Sequence, residues 1–209
     1  HDPNQTVFNA SPNDGWASGH CVCKDCLAWD HPDGELRTFR WEGLGQRYVA
    51  LSDRHTTFAN QCARLLKNRY PGRQYLVLMV AYGHSRPAPI DAVPEENVII
   101  SSVANFLLRS ENKDRGSTTG KTHQEEFANW GKVAPHLMWR PNTGSPGGWQ
   151  QGQPDVPIEK TIRNFKFVAE HNCIGIFIDS VWEFWATQGP LYYTMAKLAW
   201  DPSVDGEAV

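Results

Sequence analysis

A chain of 209 residues with 40% hydrophobic and 21% charged side chains has enough apolar material for a packed core, which excludes a disordered chain. No apolar run approaches the roughly 18 residues of a membrane span, and the longest, around Tyr75–Tyr82, is strand-sized. A formal net charge of -3 gives no electrostatic reason to expect a nucleic-acid partner.

Taken in chain order, Thr6–Ala10 (TVFNA) is short and β-prone, and the turn-rich Ser11-Pro12-Asn13-Asp14-Gly15 follows it. A strand and then a loop are expected there. Residues 16–51 carry no long periodic stretch and read as an elaborated, Cys-containing loop. Ser52 opens a helix, with Asp53 in the first turn where a negative charge suits the dipole. Phe58, Cys62, Leu65 and Leu66 fall on one face of it, and Tyr70-Pro71-Gly72 ends it. Gln74–Tyr82 and Asn97–Val103 are continuous apolar runs of strand length, the pattern of strands in a parallel sheet.

Gly116–Thr122 (GSTTGKT) resembles a phosphate-binding loop but has one residue too few between its glycines. Thr122 and Glu125 instead form a capping box that starts a helix through Phe127 and Trp130. Pro135–Arg140 is a further candidate strand. Asp155 caps the next helix, with Pro157 in its first turn and Ile158, Ile162, Phe165, Val168 and Ala169 on its buried face. Ile174–Asp179 is a strand ending in a carboxylate. Gly189-Pro190 precedes a last helix through Tyr192, Met195, Ala196 and Ala199, closed near Trp200-Asp201-Pro202.

About five strands alternating with helical segments predict an α/β fold with parallel strands. Five are too few for a closed (β/α)8 barrel of the TIM type but fit its C-terminal part. Residues 1–209 are therefore expected to be a partial barrel domain from a longer protein, whose parent chain supplies the remaining strands.

In such a barrel the active site lies at the carboxyl ends of the strands. Those ends carry Asn13, Asp14 and Trp16, then Tyr82 and His84, then Trp139 and Arg140, and finally Asp179, Trp182 and Glu183. Carboxylates mixed with aromatic, imidazole and amide groups form a sugar-handling inventory. Asp14 and Asp179 are the expected catalytic carboxylates, able to protonate a leaving oxygen or stabilise an oxocarbenium-like centre. Asn13, Trp16, Tyr82, His84, Trp139, Arg140, Trp182 and Glu183 are the expected substrate-binding residues. Each has a plainer competitor. Asp14 can bond its own turn backbone, Glu183 can be solvated, and His84 can be an ordinary loop histidine. Arg140 can serve only to neutralise a carboxylate, and each Trp can be core.

Of five cysteines, Cys62 and Cys173 read as small buried hydrophobes. Cys21, Cys23 and Cys26 have metal-ligand spacing, and three readings stay open: a structural zinc with a fourth ligand such as His20 or His31, a disulfide, or reduced thiols. In all three the cluster braces the loop after Asp14. No cofactor is expected for catalysis.

The string Ser11-Pro12-Asn13-Asp14-Gly15, then Cys21-x-Cys23-x-x-Cys26, then Ser52-Asp53-Arg54, resembles the bacterial domain-of-unknown-function 4838 family. Gly175-Ile176-Phe177-Ile178-Asp179-Ser180, Trp182, Gly189-Pro190, Tyr192-Tyr193 and Leu198-Ala199-Trp200-Asp201-Pro202 are similar to that family's closing segment. The resemblance implies a glycoside-hydrolase-like barrel, often in large exported proteins, with some relatives that are endo-β-N-acetylglucosaminidases. The expected function is thus glycoside hydrolysis of a glycan, one with N-acetylhexosamine included, in an extracellular or periplasmic bacterial protein. The alternative is a glycan-binding protein on a degenerate barrel.

Overall fold

The computed structural model describes residues 5–12, 19–41, 44–107, 117–141, 156–178 and 185–204; side chains within 39–47 are left out of the description. The strands are β1 (Val7–Asn9), β2 (Leu36–Trp41), β3 (Leu44–Val49), β4 (Leu76–Ala81), β5 (Val98–Ser102), β6 (His136–Trp139) and β7 (Cys173–Ile176). The helices are α1 (Lys24–Leu27), α2 (Ser52–Arg69), α3 (His123–Val133), α4 (Ile158–Ala169) and α5 (Trp185–Trp200), with one 3₁₀ turn at Gly83–Ser85.

Five strands form one parallel sheet in the order β1-β4-β5-β6-β7. This is the α/β architecture expected from the alternating strands and helices. Burial on both faces, the expectation for a continuous apolar run in a parallel sheet, holds for β5, whereas β4 is fully buried at alternate residues only. Every residue of β5 is buried, and on β4 the alternate residues Val77, Met79 and Ala81 are. Trp130, Trp139, Phe106, Phe127 and Leu137 fill the space between sheet and helices. Each such aromatic ring removes about 150–250 Å² from water, roughly 4–6 kcal/mol of transfer free energy. The α3 start is as predicted: the Thr122 hydroxyl accepts from the Glu125 amide, and the Glu125 carboxylate accepts from the Thr122 amide at 2.7 Å.

Several local readings are corrected. The buried stripe of α2 is Thr56, Ala59, Asn60 and Ala63, whereas Phe58 and Leu65 face outward. Small side chains let the helix lie close to the sheet, and Thr56 Oγ1 approaches Met79 Sδ at 3.9 Å. Of the expected stripe, Cys62 and Leu66 are partly buried against the core. Helix α4 begins after Pro157 rather than around it, and Ala169 is exposed. Helix α5 already begins at Trp185 and carries Pro190 inside it. Its buried face is Gln188, Leu191, Tyr192, Thr194, Met195 and Leu198, so Ala196 and Ala199 face out. Cys62 and Cys173 are half-buried, and Cys173 belongs to β7.

The largest departure lies in residues 16–51. Most of what reads as an irregular loop is the antiparallel hairpin β2–β3, in which Trp41 pairs with Leu44. Its inward residue is not apolar. Arg37 is fully buried, donates to Glu126 Oε1 at 3.0 Å and to the Gly83 carbonyl at 3.0 Å, and lies 3.7 Å from Glu35. Lys121 Nζ closes the set, 3.1 Å from Glu35 Oε2. Two cations and two carboxylates thus pin the hairpin to α3 and to the turn after β4. Lys121, the lysine of the phosphate-loop lookalike, is spent in this network.

Candidate functional site

Ligands in α/β sheets bind outside the carboxyl ends of the strands, and the described polar residues collect there. β4 leads directly into Tyr82, Gly83, His84 and Ser85. Gly83 takes a φ of 55°, a left-handed conformation that glycine adopts without strain. This reversal brings the His84 ring under the hairpin. The Ser85 hydroxyl donates to the Tyr82 carbonyl at 3.2 Å, and the Leu51 amide donates to the His84 carbonyl at 2.9 Å.

Three further segments deliver rings to the same place. His20 comes from the cysteine loop, Tyr48 from β3 and His55 from the first turn of α2. The ring centroids of His20 and of Tyr48 each lie 4.5 Å from that of His84, both edge-to-face. His20 is 5.5 Å from Tyr48 and 6.4 Å from His55. Burial disfavours the charged imidazole, and the neighbours reinforce that. Burial first, then His20, Arg37 and His55, brings His84 down to about 3. Burial, then His20 and Arg54, brings His55 down to about 4. His20 is lowered too, by burial and then by Arg54, and burial raises the Tyr48 phenol. At neutral pH the cluster holds uncharged imidazoles that can each donate and accept one hydrogen bond. His55 Nδ1 is buried and has no hydrogen-bond partner among the described residues.

The first turn of α2 holds this assembly together. Ser52 does not cap its helix; its hydroxyl donates to the Pro87 carbonyl at 2.5 Å. The Asp53 carboxylate accepts from the amides of Ile90, Asp91 and Ala92 at 2.8–3.0 Å. Arg54 forks onto Asp30, with Nε at 2.7 Å, and its Nη1 donates to the Cys21 carbonyl at 2.8 Å.

Of the substrate-binding residues expected from sequence, Tyr82 and His84 lie at this end of the sheet. The Tyr82 ring has the Arg86 guanidinium 5.5 Å from its centroid. Arg140, at the end of β6, places its guanidinium 5.2 Å from the Phe177 ring centroid after β7. Trp139 is corrected: it is a core residue. Phe106 stacks on it at 4.7 Å, Phe165 meets it edge-on at 5.5 Å, and its indole N–H donates to the Ala104 carbonyl at 2.8 Å. Asn13, Asp14, Trp16, Asp179, Trp182 and Glu183 lie outside the described residues. Sequence reading missed Tyr48 and His55, and named His20 only as a candidate fourth zinc ligand. The signal for His55 was available: a helix preceding a parallel strand starts at the end of the sheet where that strand finishes, so its first turn faces the site.

Cys21, Cys23 and Cys26 bring their sulfurs within 4.8 Å of one another. Cys23 is held down at about 7, first by the Cys26 backbone amide and then by the Cys21 and Cys26 thiols, while the Cys21 and Cys23 thiols push Cys26 up to about 11. A separate cleft of about 250 Å³ lies between α3 and the loop after His84, lined by prolines 87 and 89, Lys121, Glu126, Asn129 and Lys132. It offers no aromatic face to a sugar.

The model of a domain of unknown function, DUF4838, matches residues 1–209. The chain belongs to the DUF4838 family. No curated protein matches it. At the carboxyl end of its parallel sheet this DUF4838 chain gathers neutral imidazoles and tyrosines, with the thiol triad following His20 in the chain. Among the described residues no helix is long and apolar enough to cross a membrane.

Proposed function

We propose that this DUF4838 chain is the active-site face of a glycoside hydrolase built on an α/β barrel, acting on a glycan that includes N-acetylhexosamine. One observation carries the reading. His20, Tyr48, His55, His84 and Tyr82 converge at the carboxyl end of the parallel sheet, between the strands that Asp14 and Asp179 follow in sequence. Uncharged imidazoles and phenols suit a substrate made of hydroxyl and amide groups, because they hydrogen-bond it without burying a charge.

In this reading Asp14 and Asp179 divide the acid and stabilising roles between them. β1 and β7 are the two edges of the sheet. Four strand spacings of about 4.8 Å put them roughly 19 Å apart along a flat sheet. The two carboxylates can serve one sugar ring only if the sheet curls toward closure, which is why the barrel belongs to the proposal. With an N-acetylated substrate, its acetamido oxygen is the nucleophile, oriented by one carboxylate while the other protonates the leaving oxygen. An exported bacterial protein is the setting this substrate suggests.

The test is a glycan-release assay across a panel of N-acetylhexosamine-containing oligosaccharides, run beside calorimetry. Release that falls at least 100-fold in both Asp14→Asn and Asp179→Asn is the expected result. A loss below tenfold in both variants would overturn the carboxylate assignment. Binding without turnover in the parent chain would replace hydrolysis by glycan binding on the same face.

A further inference from the structure

We propose that Cys21, Cys23 and Cys26 form a three-thiolate site for one zinc-class cation, with the fourth coordination position open to an exchangeable ligand. It stands on different atoms from the glycan reading and does not depend on it.

The first support is convergence. The three sulfurs lie within 4.8 Å of one another. Thiolates placed tetrahedrally about 2.3 Å from one zinc are about 3.8 Å apart, so closing onto an ion needs only side-chain rotation. The short α1 makes this possible. Cys23 precedes it, and Cys26 sits one turn on, its carbonyl accepting from the Trp29 amide at 3.2 Å. The chain ahead of it returns Cys21 to the same side. Its carbonyl is fixed from outside by Arg54, whose position the Asp30 pair sets in turn. This is a loop held in ligand geometry by contacts that do not use the sulfurs.

The second support is the donor chemistry. Soft thiolate donors select zinc and its relatives over magnesium or calcium.

The third support concerns the fourth position. His31 is already committed: Nδ1 accepts from the Asp33 amide at 3.1 Å and Nε2 lies 3.3 Å from Asp91 Oδ2. His20 packs its ring against His84 and Tyr48. Among the described residues no fourth Cys, His, Asp or Glu joins the sulfur triad. Cys21 and Cys23 are exposed and Cys26 is half-buried. Among the described residues, then, an ion held here has three protein ligands and an open side, unlike the four-ligand closed site of a purely structural zinc. Because His20 adjoins Cys21 in the chain, the bound ion would also fix where the histidine cluster begins.

The experiment uses the full chain, reduced and freed of metal, then titrated with cobalt(II) and with zinc(II). One equivalent of cobalt should give thiolate-to-metal charge-transfer absorption and the intense visible bands of a tetrahedral site, both displaced by zinc. Zinc should protect three thiols from alkylation, mapped by mass spectrometry to Cys21, Cys23 and Cys26. Cys21→Ser, Cys23→Ser and Cys26→Ser should each weaken binding at least 100-fold, whereas Cys62→Ser and Cys173→Ser leave it unchanged. Added imidazole or cyanide should shift the visible bands. No uptake by the reduced chain overturns the site, as does protection of other thiols or a disulfide that reforms in preference to metal uptake. Visible bands indifferent to added ligand overturn the open position. Thiol protection on the unmodified chain keeps the test decisive even if a serine variant does not fold.

Discussion

Arg37 Nη1 and Glu126 Oε1 meet at 3.0 Å with both side chains buried, although 89 residues separate them in sequence. The pair joins the hairpin β2–β3 to α3 beneath His84. A buried pair is a weak source of net stability, but removing one partner strands the other charge and costs about 3–5 kcal/mol. Arg37→Met is therefore expected to lower the unfolding free energy by about 3 kcal/mol in urea titration. Adding Glu126→Leu to it should recover part of that loss. A double variant less stable than Arg37→Met would contradict this account.

Asp53 holds three successive amides of the loop at residues 90–92. Asp53→Ala frees all three, and hydrogen bonds to a charged acceptor are each worth about 1.5–3 kcal/mol at most, with part returned by water. The expected cost is about 2–3 kcal/mol. Hydrogen exchange should show protection lost at Ile90, Asp91 and Ala92 before it is lost in β4. Unchanged protection at those amides would contradict the role given to the carboxylate.

Folding lowers the proton affinity of His55 and His84, to about 4 and about 3. The unfolded chain then holds more protons from about pH 6.5 downward, so stability rises with pH across that window. Above pH 6.5 both rings are neutral in either state and the contribution is complete. As pH falls through 6.5, each ring can remove up to about 1.4 kcal/mol per pH unit. Between pH 6.5 and 5, His55→Gln and His84→Gln should each flatten the profile measured by chemical denaturation. Parallel profiles for variants and parent would remove the histidines as its source.

Gly131 lies inside α3, where alanine is ordinarily preferred by about 1 kcal/mol. A Cβ there would stand 2.6 Å from the His171 carbonyl oxygen, on backbone that cannot swing aside. Gly131→Ala should therefore destabilise, by about 1–3 kcal/mol of overpacking against the helical gain. A thermal melt at or above the parent midpoint would contradict the close approach of α3 to the turn after α4.

The strands were legible because burial demands continuous apolar runs, and Val98–Ser102 and Leu76–Ala81 have them. The α3 start was legible because Thr122 and Glu125 satisfy its first amides locally. The hairpin was not, because its inward residue is Arg37 and its partners lie far along the chain. The α2 face was half legible: Cys62 and Leu66 do pack against the core, but the closest approach to the sheet is made by Ala59 and Ala63, whose small side chains stand out less in a hydrophobic pattern than Phe58 and Leu65. His84 could be named from its place after a strand. Its neighbours His20 and Tyr48 come from segments whose path depends on the Arg37 and Arg54 contacts, and pairings between distant charges leave no periodic trace.

The first turn of α2 binds a different neighbour with each of four consecutive residues: Ser52 the Pro87 carbonyl, Asp53 the amides beyond it, Arg54 the thiol loop and His55 the imidazoles. Such a turn works as a rivet through several plates. The loops it fastens can vary in length and sequence between their anchor points, but the four anchors cannot drift singly. Substitutions within Ser52-Asp53-Arg54-His55 should be strongly non-additive, a second change costing little once the first has freed the turn. Variation in this part of the molecule is thereby channelled into the spans between anchors.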